Sequence, residues 1–422
     1  MQVKAIQSNS KKSSVKCIMS SLIGNILEHY DNALFGFLAP FLAPLFFTAQ
    51  RPVTALILTY AILPIGLFTR PLGALFFGWF GDLFGTRKAL FTSLVGMGVA
   101  TLSLGFLPTY NEIGMWAPLL LTCGRMLQNF CAAGEAPGAA IFVLESTAQQ
   151  KRSFMSSIID ASAMVGILLA SVLVSILSAY DAIETTWRAL FWFGGTTAIF
   201  GLILRLQNED TGVVVVSEKG MATPRQALAE ILKEHKGILL AIIITAGFSY
   251  TTYSIPFILM NGFVPLVTTV SKSELLHSNT VLLVVDMLLL PFFGYLSGRI
   301  GKEKVMFFST CLLTFCAIPL FVLLDEATLF MVIAIRLCVV IPGVAFAATY
   351  YAWALDYVPK KHRFTILALG YALGSQLIGT PTSAISLWLF QKTGWVCAPG
   401  IYLMVTSLSA SFVLYCSLKK KR

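Results

Sequence analysis

Twelve long apolar runs follow one another along this chain, each long enough to cross a bilayer. They lie near residues 18 to 47, 53 to 81, 88 to 109, 116 to 144, 153 to 180 and 187 to 206, then near 237 to 266, 276 to 300, 304 to 324, 328 to 355, 364 to 390 and 395 to 418. About 20 apolar residues cross the hydrocarbon core as a helix. Only 12% of the 422 residues are charged, where soluble domains carry about 25%. The chain therefore reads as an all-α transmembrane protein.

The net charge of +10 does not point to nucleic acid, because the 30 Lys and Arg fall by side. Arg70, Arg125 and Arg336 lie inside spans, and Arg51, Arg188, Lys272 and Lys392 lie in loops on one face. The remaining 23 (30 − 7) sit at the other face, which the positive-inside bias makes cytoplasmic. Lys11, Lys12 and Lys16 at one end and Lys419 to Arg422 at the other put both termini there, so the number of crossings is even. The eight cysteines fall mostly in apolar runs, with no CxxC and no His at ligand spacing. They read as small buried thiols, with no metal and no cofactor. No GxxxxGK[ST] loop is present, so ATP is not the evident energy source, and no cleavable signal peptide precedes the first span.

The polar stretch from Gln207 to Lys236 divides the runs six and six. It reads as a cytoplasmic linker, partly helical after Pro224, between a first bundle at residues 1–206 and a second at 237–422. The halves echo each other. Gly78, Asp82, Gly85, Arg87 and Lys88 follow the second span; Gly294, Gly298, Gly301, Lys302 and Lys304 follow the eighth, displaced by 216 (294 − 78). Arg125, Glu145 and Arg152 match Arg336, Asp356 and Arg363, each shifted by 211 (336 − 125). Such repeats mark transporter folds with sites at the repeat interface. Two pseudo-symmetric six-helix bundles around a central cavity are expected.

One stretch in the first span carries the chemistry. GNILEHYDNALFG, Gly24 to Gly36, places Ser21, Gly24, Asn25, Glu28, Asp31, Asn32 and Gly36 on one helical face at about 100° per residue, with His29 at its border. Ionisable groups at membrane depth cost a few kcal/mol each unless they face a polar interior, so this helix is expected to line something wet. The rival reading has Glu28 and Asp31 pairing with basic residues only to tie helices. In the fourth span Arg125, Gln128 and Asn129 share a face, with Glu135 at its edge. Arg125 and Glu135 are about 15 Å apart at 1.5 Å per residue, so each needs another partner. The guanidinium fork suits a carboxylate, whether that of Glu28, of Asp31 or of a solute. A helix tie is again the alternative, and for Glu135 a packing role.

GDLFGTRK, Gly81 to Lys88, resembles the loop signature of the major facilitator superfamily. GNILEHYDNALFGF, RPLGALFFGWFGD, RMLQNFCAAGEAPGAAIFVLE, KRSFMSS and TWRALFW resemble its metabolite:proton symporter branch, which includes proline/betaine, 2-oxoglutarate and citrate transporters. His29 and Asn32 stand where that branch carries aromatics, and Gly298 stands where the second loop would carry an acid. The resemblance implies a twelve-helix major facilitator fold in the bacterial inner membrane, and a carrier rather than an enzyme. It implies a monomeric carrier of a small-molecule solute and protons within the lipid bilayer. The expected function is import of a proline/betaine-like zwitterion or small carboxylate by proton symport with alternating access; a proton-coupled exporter and a non-transporting solute sensor are the alternatives. Glu28, Asp31 and Glu135 are the expected proton-coupling acids. Asn32, Arg125, Gln128, Tyr253 and Arg336 are the expected substrate contacts, Tyr253 as part of an aromatic group suited to a quaternary ammonium. Asp82, Gly85, Arg87, Lys88, Glu145, Arg152, Asp356 and Arg363 are the expected gate.

Overall fold

The computed structural model describes residues 2–47, 66–179, 183–206, 223–325 and 327–420, and every regular element among them is helical. Arg51, the start of the second apolar run, the linker acids Glu209, Asp210 and Glu218, and the final two residues lie outside the described residues. Seven helical stretches there are long and apolar enough to cross a membrane. Contacts group the chain into two compact units. The first holds Met1–Ser146, Ser162–Leu228 and Lys361–Ala368, and the second holds Thr147–Ala161, Ala229–Lys360 and Leu369–Arg422.

Besides a single turn at Tyr110–Ile113, the described helices of the first half are α1 (Gln2–Phe46), α2 (Gly66–Phe84), α3 (Thr86–Gly105), α4 (Trp116–Ala132), α5 (Glu135–Glu145), α6 (Arg152–Ala179) and α7 (Ile183–Leu206). The fourth apolar run is thus two helices, parted at Ala133 and Gly134, where Gly134 and Pro137 favour a break over a straight continuation. In the first unit α1 packs against α5 and α7. Its Tyr30, Leu34, Phe35 and Leu38 enter a core with Trp187 and Phe191. Lipid is as apolar as leucine, so helices in a bilayer associate through close packing and polar contacts. Gly166 of α6 shows the closeness: a Cβ there would stand 2.2 Å from the Ile26 carbonyl oxygen, so the two backbones touch.

The chain continues with α8 (Pro224–Glu234), α9 (Lys236–Ser254), α10 (Met260–Val267), α11 (Lys272–Ile300), α12 (Lys302–Val322), α13 (Leu329–Tyr357), α14 (Arg363–Gly374), α15 (Thr382–Thr393) and α16 (Ala398–Lys420). The helix starting at Pro224 uses proline where its missing N–H costs nothing. The seventh run is interrupted by a π-helical turn at Ile255–Leu259, and the eleventh by another at Ser375–Gly379. Pro256 lies in the first, and a proline removes an amide from the regular ladder. In the second unit α12 lies along α16, and α13 packs on α11 and α12. Trp353, Phe346, Phe248 and Phe263 are fully buried there or nearly so.

The repeated glycines occupy the same backbone conformation. Gly85 caps α3 with φ 97° and Gly301 caps α12 with φ 107°. Positive φ is costly for any residue with a Cβ, which explains why both halves carry glycine at that offset.

Candidate functional site

The polar residues of α1 reach four neighbouring helices. Asn25 donates from Nδ2 to Ser162 Oγ of α6 at 2.8 Å. Asp31, buried, accepts from the Thr101 hydroxyl of α3 at 2.6 Å. Gln128 Nε2 of α4 donates to that same hydroxyl oxygen at 2.7 Å, and Arg125 donates to Gln128 Oε1. Arg125, Gln128, Thr101 and Asp31 thus form one hydrogen-bond chain in which every donor points towards the carboxylate. Arg125 also lies over the Phe35 ring, 4.3 Å from its centroid. Both ends of the chain keep spare capacity: Arg125 Nε and Asp31 Oδ1 are buried with no hydrogen-bond partner.

Glu28, three residues earlier and about 60° around α1, meets different helices. Its Oε1 stands 4.0 Å from Arg70 of α2, while Oε2 is buried without a hydrogen bond. Arg70 is fixed in turn by Asn129 Oδ1 at 3.2 Å. Glu28 also meets the backbone N–H of Ala136 at the start of α5, where the helix dipole favours a negative group. Glu135, fully buried in that same first turn, accepts from Ser93 of α3 at 2.5 Å. His29 Nδ1 is 2.9 Å from the Asn25 carbonyl oxygen, so it is the protonated nitrogen of that ring. Asn32 is half-buried, and one turn beyond it a Cβ on Gly36 would meet nothing within 4 Å.

At the end of α2, Asp82 caps α14. Its carboxylate accepts from the backbone N–H groups of Phe364 and Thr365, each at 2.9 Å, and from the Thr365 hydroxyl at 2.6 Å. A helix N-terminus leaves such amides unpaired, and Gly78 allows the approach, since a Cβ there would lie 2.6 Å from Thr365 Cα. Beside this cap Arg363 pairs with Glu145 at 2.7 Å. In the second unit the mates exchange partners: Asp356 binds Arg152 at 3.2 Å and also Lys302. Gly298 supplies no acid to α6, and Lys302 joins the cluster instead. Arg87 is half-buried and Lys88 exposed, with no ion pair at Lys88 among the described residues.

A family model described as sugar (and other) transporter matches residues 16–236, just over half of the chain. The chain belongs to that family, within the major facilitator superfamily. A relative from Staphylococcus haemolyticus is 30% identical over 411 residues, covering 94% of this chain and 86% of its own. The proline/betaine transporter of Salmonella typhimurium is 29% identical over 406 residues, covering 93% and 81%. Two solved structures share the fold: the proton:xylose symporter XylE, with TM-score 0.69 at 12% identity over 97% of this chain and 96% of that one, and FucP in the outward conformation, with TM-score 0.71 at 11% identity over 96% and 99%. The protein is a transporter, a multi-pass membrane protein and not an enzyme.

In this transporter Arg336 is bound differently from its repeat mate. It donates to the Asn261 side-chain oxygen at 2.6 Å, to Ser278 at 3.3 Å and to the Leu275 carbonyl at 3.4 Å, all neutral, with Nε unpartnered. It therefore ties α10, α11 and α13 together. Tyr253, half-buried, packs on Phe257 at 5.2 Å and Tyr250 at 6.2 Å between ring centroids. Sequence reasoning passed over Thr101, Ser93 and Phe35, and did not bring Arg70 to Glu28. A signal for the hydroxyls was there: Ser93 and Thr101 lie eight residues apart in one apolar span, within about 80° around the helix.

The Asp82 cap gives a direct test. Asp82→Asn replaces a charged acceptor by an amide and removes about 2 kcal/mol from this contact, about thirtyfold in an equilibrium that makes and breaks it. Turnover in reconstituted vesicles is expected to fall by about tenfold or more, while equilibrium solute affinity changes little. A large affinity loss in a binding assay would place Asp82 at the solute site instead.

Proposed function

We propose that this transporter imports a small polar organic solute, a proline/betaine-like zwitterion or a small carboxylate, by proton symport. Asp31 and Glu28 take the proton, with Glu135 beside them, and Arg125 with Gln128 receives a carboxylate of the solute. The observation that carries this reading is the hydrogen-bond chain with open valences at both ends. An arginine inside a membrane cannot lose its proton and needs an anion or several acceptors. Here one guanidinium edge is spent on Gln128 and the other is open.

Alternating access follows when protonation and solute binding stabilise one state relative to the other. The two bundles, residues 1–206 and 237–422 with a linker at 207–236, would rock about the site. The contacts of Asp82, Gly85, Arg87, Lys88, Glu145, Arg152, Asp356 and Arg363 would hold the cytoplasmic end. Both termini are taken to be cytoplasmic and the working unit a monomer in the bacterial inner membrane. The relatives named as proline/betaine transporters favour a zwitterion among the candidate solutes.

The test is uptake by proteoliposomes under an imposed proton gradient, with radiolabelled proline, glycine betaine, citrate and 2-oxoglutarate. At least one of these is expected to accumulate only while the gradient lasts. Accumulation indifferent to the gradient, or expulsion of hydrophobic cations with no uptake from the panel, would remove the symport reading.

A further inference from the structure

Arg70 stands beside a buried acid without bonding to it. Its Nη2 is 4.0 Å from Glu28 Oε1, outside the reach of a charge-assisted hydrogen bond, about 2.7 to 2.9 Å. Glu28 is buried, and its Oε2 has no hydrogen-bond partner. A charge in a membrane interior calls for a bonded counter-charge, so an unrestrained arginine would close this gap. Asn129 of α4 supplies the restraint, because its Oδ1 accepts from Arg70 Nε at 3.2 Å. The amide is itself buried and has little room to yield. A Cβ on Gly66 would stand 3.6 Å from the Asn129 side chain, and one on Gly73 would stand 2.0 Å from the Phe130 carbonyl oxygen. Gly66, Arg70 and Gly73 recur on one side of α2 at helical spacing. The side of α2 that carries Arg70 is therefore pressed against the stretch of α4 that holds it.

We propose that Asn129 is a positioning residue: it tethers Arg70 short of Glu28 and thereby sets how readily Glu28 takes a proton. Among the described residues the charged groups facing Glu28 are Arg70 from α2, Glu135 from α5 and Asp31 on α1 itself, so Arg70 is the one cation of the three. His29 is the titratable neighbour on α1, with its Nδ1 held by the Asn25 carbonyl. From α4, Arg125 is engaged with Gln128. The remaining helices bring no charge to this stretch of α1: α3 meets it through Thr101, α6 through Ser162 and Gly166, and α7 through Gly201. Two nearby carboxylates disfavour a charge on Glu28, and a fully bonded Arg70 would favour it. The tether holds the cation between these limits, near enough to attract the carboxylate and too far to lock it in the charged form. The inference rests on the reading of Glu28 as a proton-coupling acid.

The experiment follows the carboxyl band of Glu28 against pH by infrared difference spectroscopy on the purified full-length transporter. The band is identified as the one lost on Glu28→Gln, and each Asn129 variant is read against the same variant carrying Glu28→Gln. Asn129→Leu nearly keeps the size of the side chain and frees Arg70 to close on Glu28. Its titration midpoint is expected about one pH unit lower, tenfold in proton affinity. Asn129→Asp keeps the shape and takes Arg70 as a salt bridge, so its midpoint is expected higher by about as much. Midpoints unmoved in both variants, or moved the same way by both, would overturn the tether, as would the absence of any titrating Glu28 band. If the Leu variant elutes as aggregate, the Asp variant decides alone, and an unmoved or lowered midpoint in it overturns the tether. Gradient-driven uptake against pH in the same variants separates the two readings. Its midpoint is expected to move with the band; a moved band with an unmoved uptake profile keeps the tether and removes Glu28 from proton coupling.

Discussion

Vesicles carrying Asp31→Asn are expected to lose gradient-driven accumulation entirely while still exchanging labelled solute across the membrane. The expectation comes from the direction of the hydrogen bonds around Asp31. Thr101 donates to the carboxylate, Gln128 Nε2 donates to Thr101, and Arg125 donates to the Gln128 oxygen. A proton placed on Asp31 removes the charge that polarises this chain and turns one acceptor into a donor. Thr101 and Gln128 can then reverse, and Arg125 loses its hold on Gln128 and becomes available to a solute anion. Asparagine resembles the protonated acid in charge and in donor capacity, so it fixes the site in its loaded form. Binding survives and the link to the proton is lost. Glu28→Gln is expected to lower the accumulation ratio less, because Glu28 meets Arg70 and a helix N-terminus but has no comparable chain to the Arg125 fork. The measurement is steady-state accumulation under an imposed gradient beside solute counterflow with no gradient. Full accumulation in the Asp31 variant would make that carboxylate a helix tie.

Arg125→Lys is expected to weaken solute binding by about 2 to 3 kcal/mol, the range for hydrogen bonds to charged groups, or about 30- to 150-fold. The guanidinium can bind Gln128 and a second acceptor at once because its donors form a fixed planar fork, which an ammonium lacks. Its plane also rests over Phe35, 4.3 Å from the ring centroid, a contact of about 0.5 to 2 kcal/mol that holds the fork in place. A lysine keeps the charge but loses both the second direction and the stacking. The solute should show the reciprocal preference: molecules with a free carboxylate compete, and their amides and methyl esters do not. Competition by acid and amide pairs, run on wild type and Arg125→Lys, tests both sides of the contact. Equal inhibition by both members of each pair, or unimpaired uptake by the Lys variant, would leave Arg125 as a helix tie.

The sequence by itself determined the membrane class, the spacing of most helices and the repeat. Apolar runs of span length admit one kind of element, and a glycine that must hold positive φ leaves its mark at the same offset in both halves, as Gly85 and Gly301 do. It also marked Glu28, Asp31, Arg125 and Gln128 as residues with chemistry, because polar groups in such runs are costly without a reason. The tertiary structure decided which of them meet. Glu28 and Asp31 lie within about 60° around one helix and read as one face. But α1 is enclosed by several helices, so that small angle sends one acid to α2 and the start of α5 and the other to α3 and α4. Breaks at Gly134 and at the two π-helical turns were equally hidden, since hydropathy registers an apolar run whether or not its hydrogen-bond ladder is continuous. Periodicity gives the angle at which a side chain leaves its own helix; the neighbour standing at that angle is set by packing against distant segments, and no local pattern encodes it.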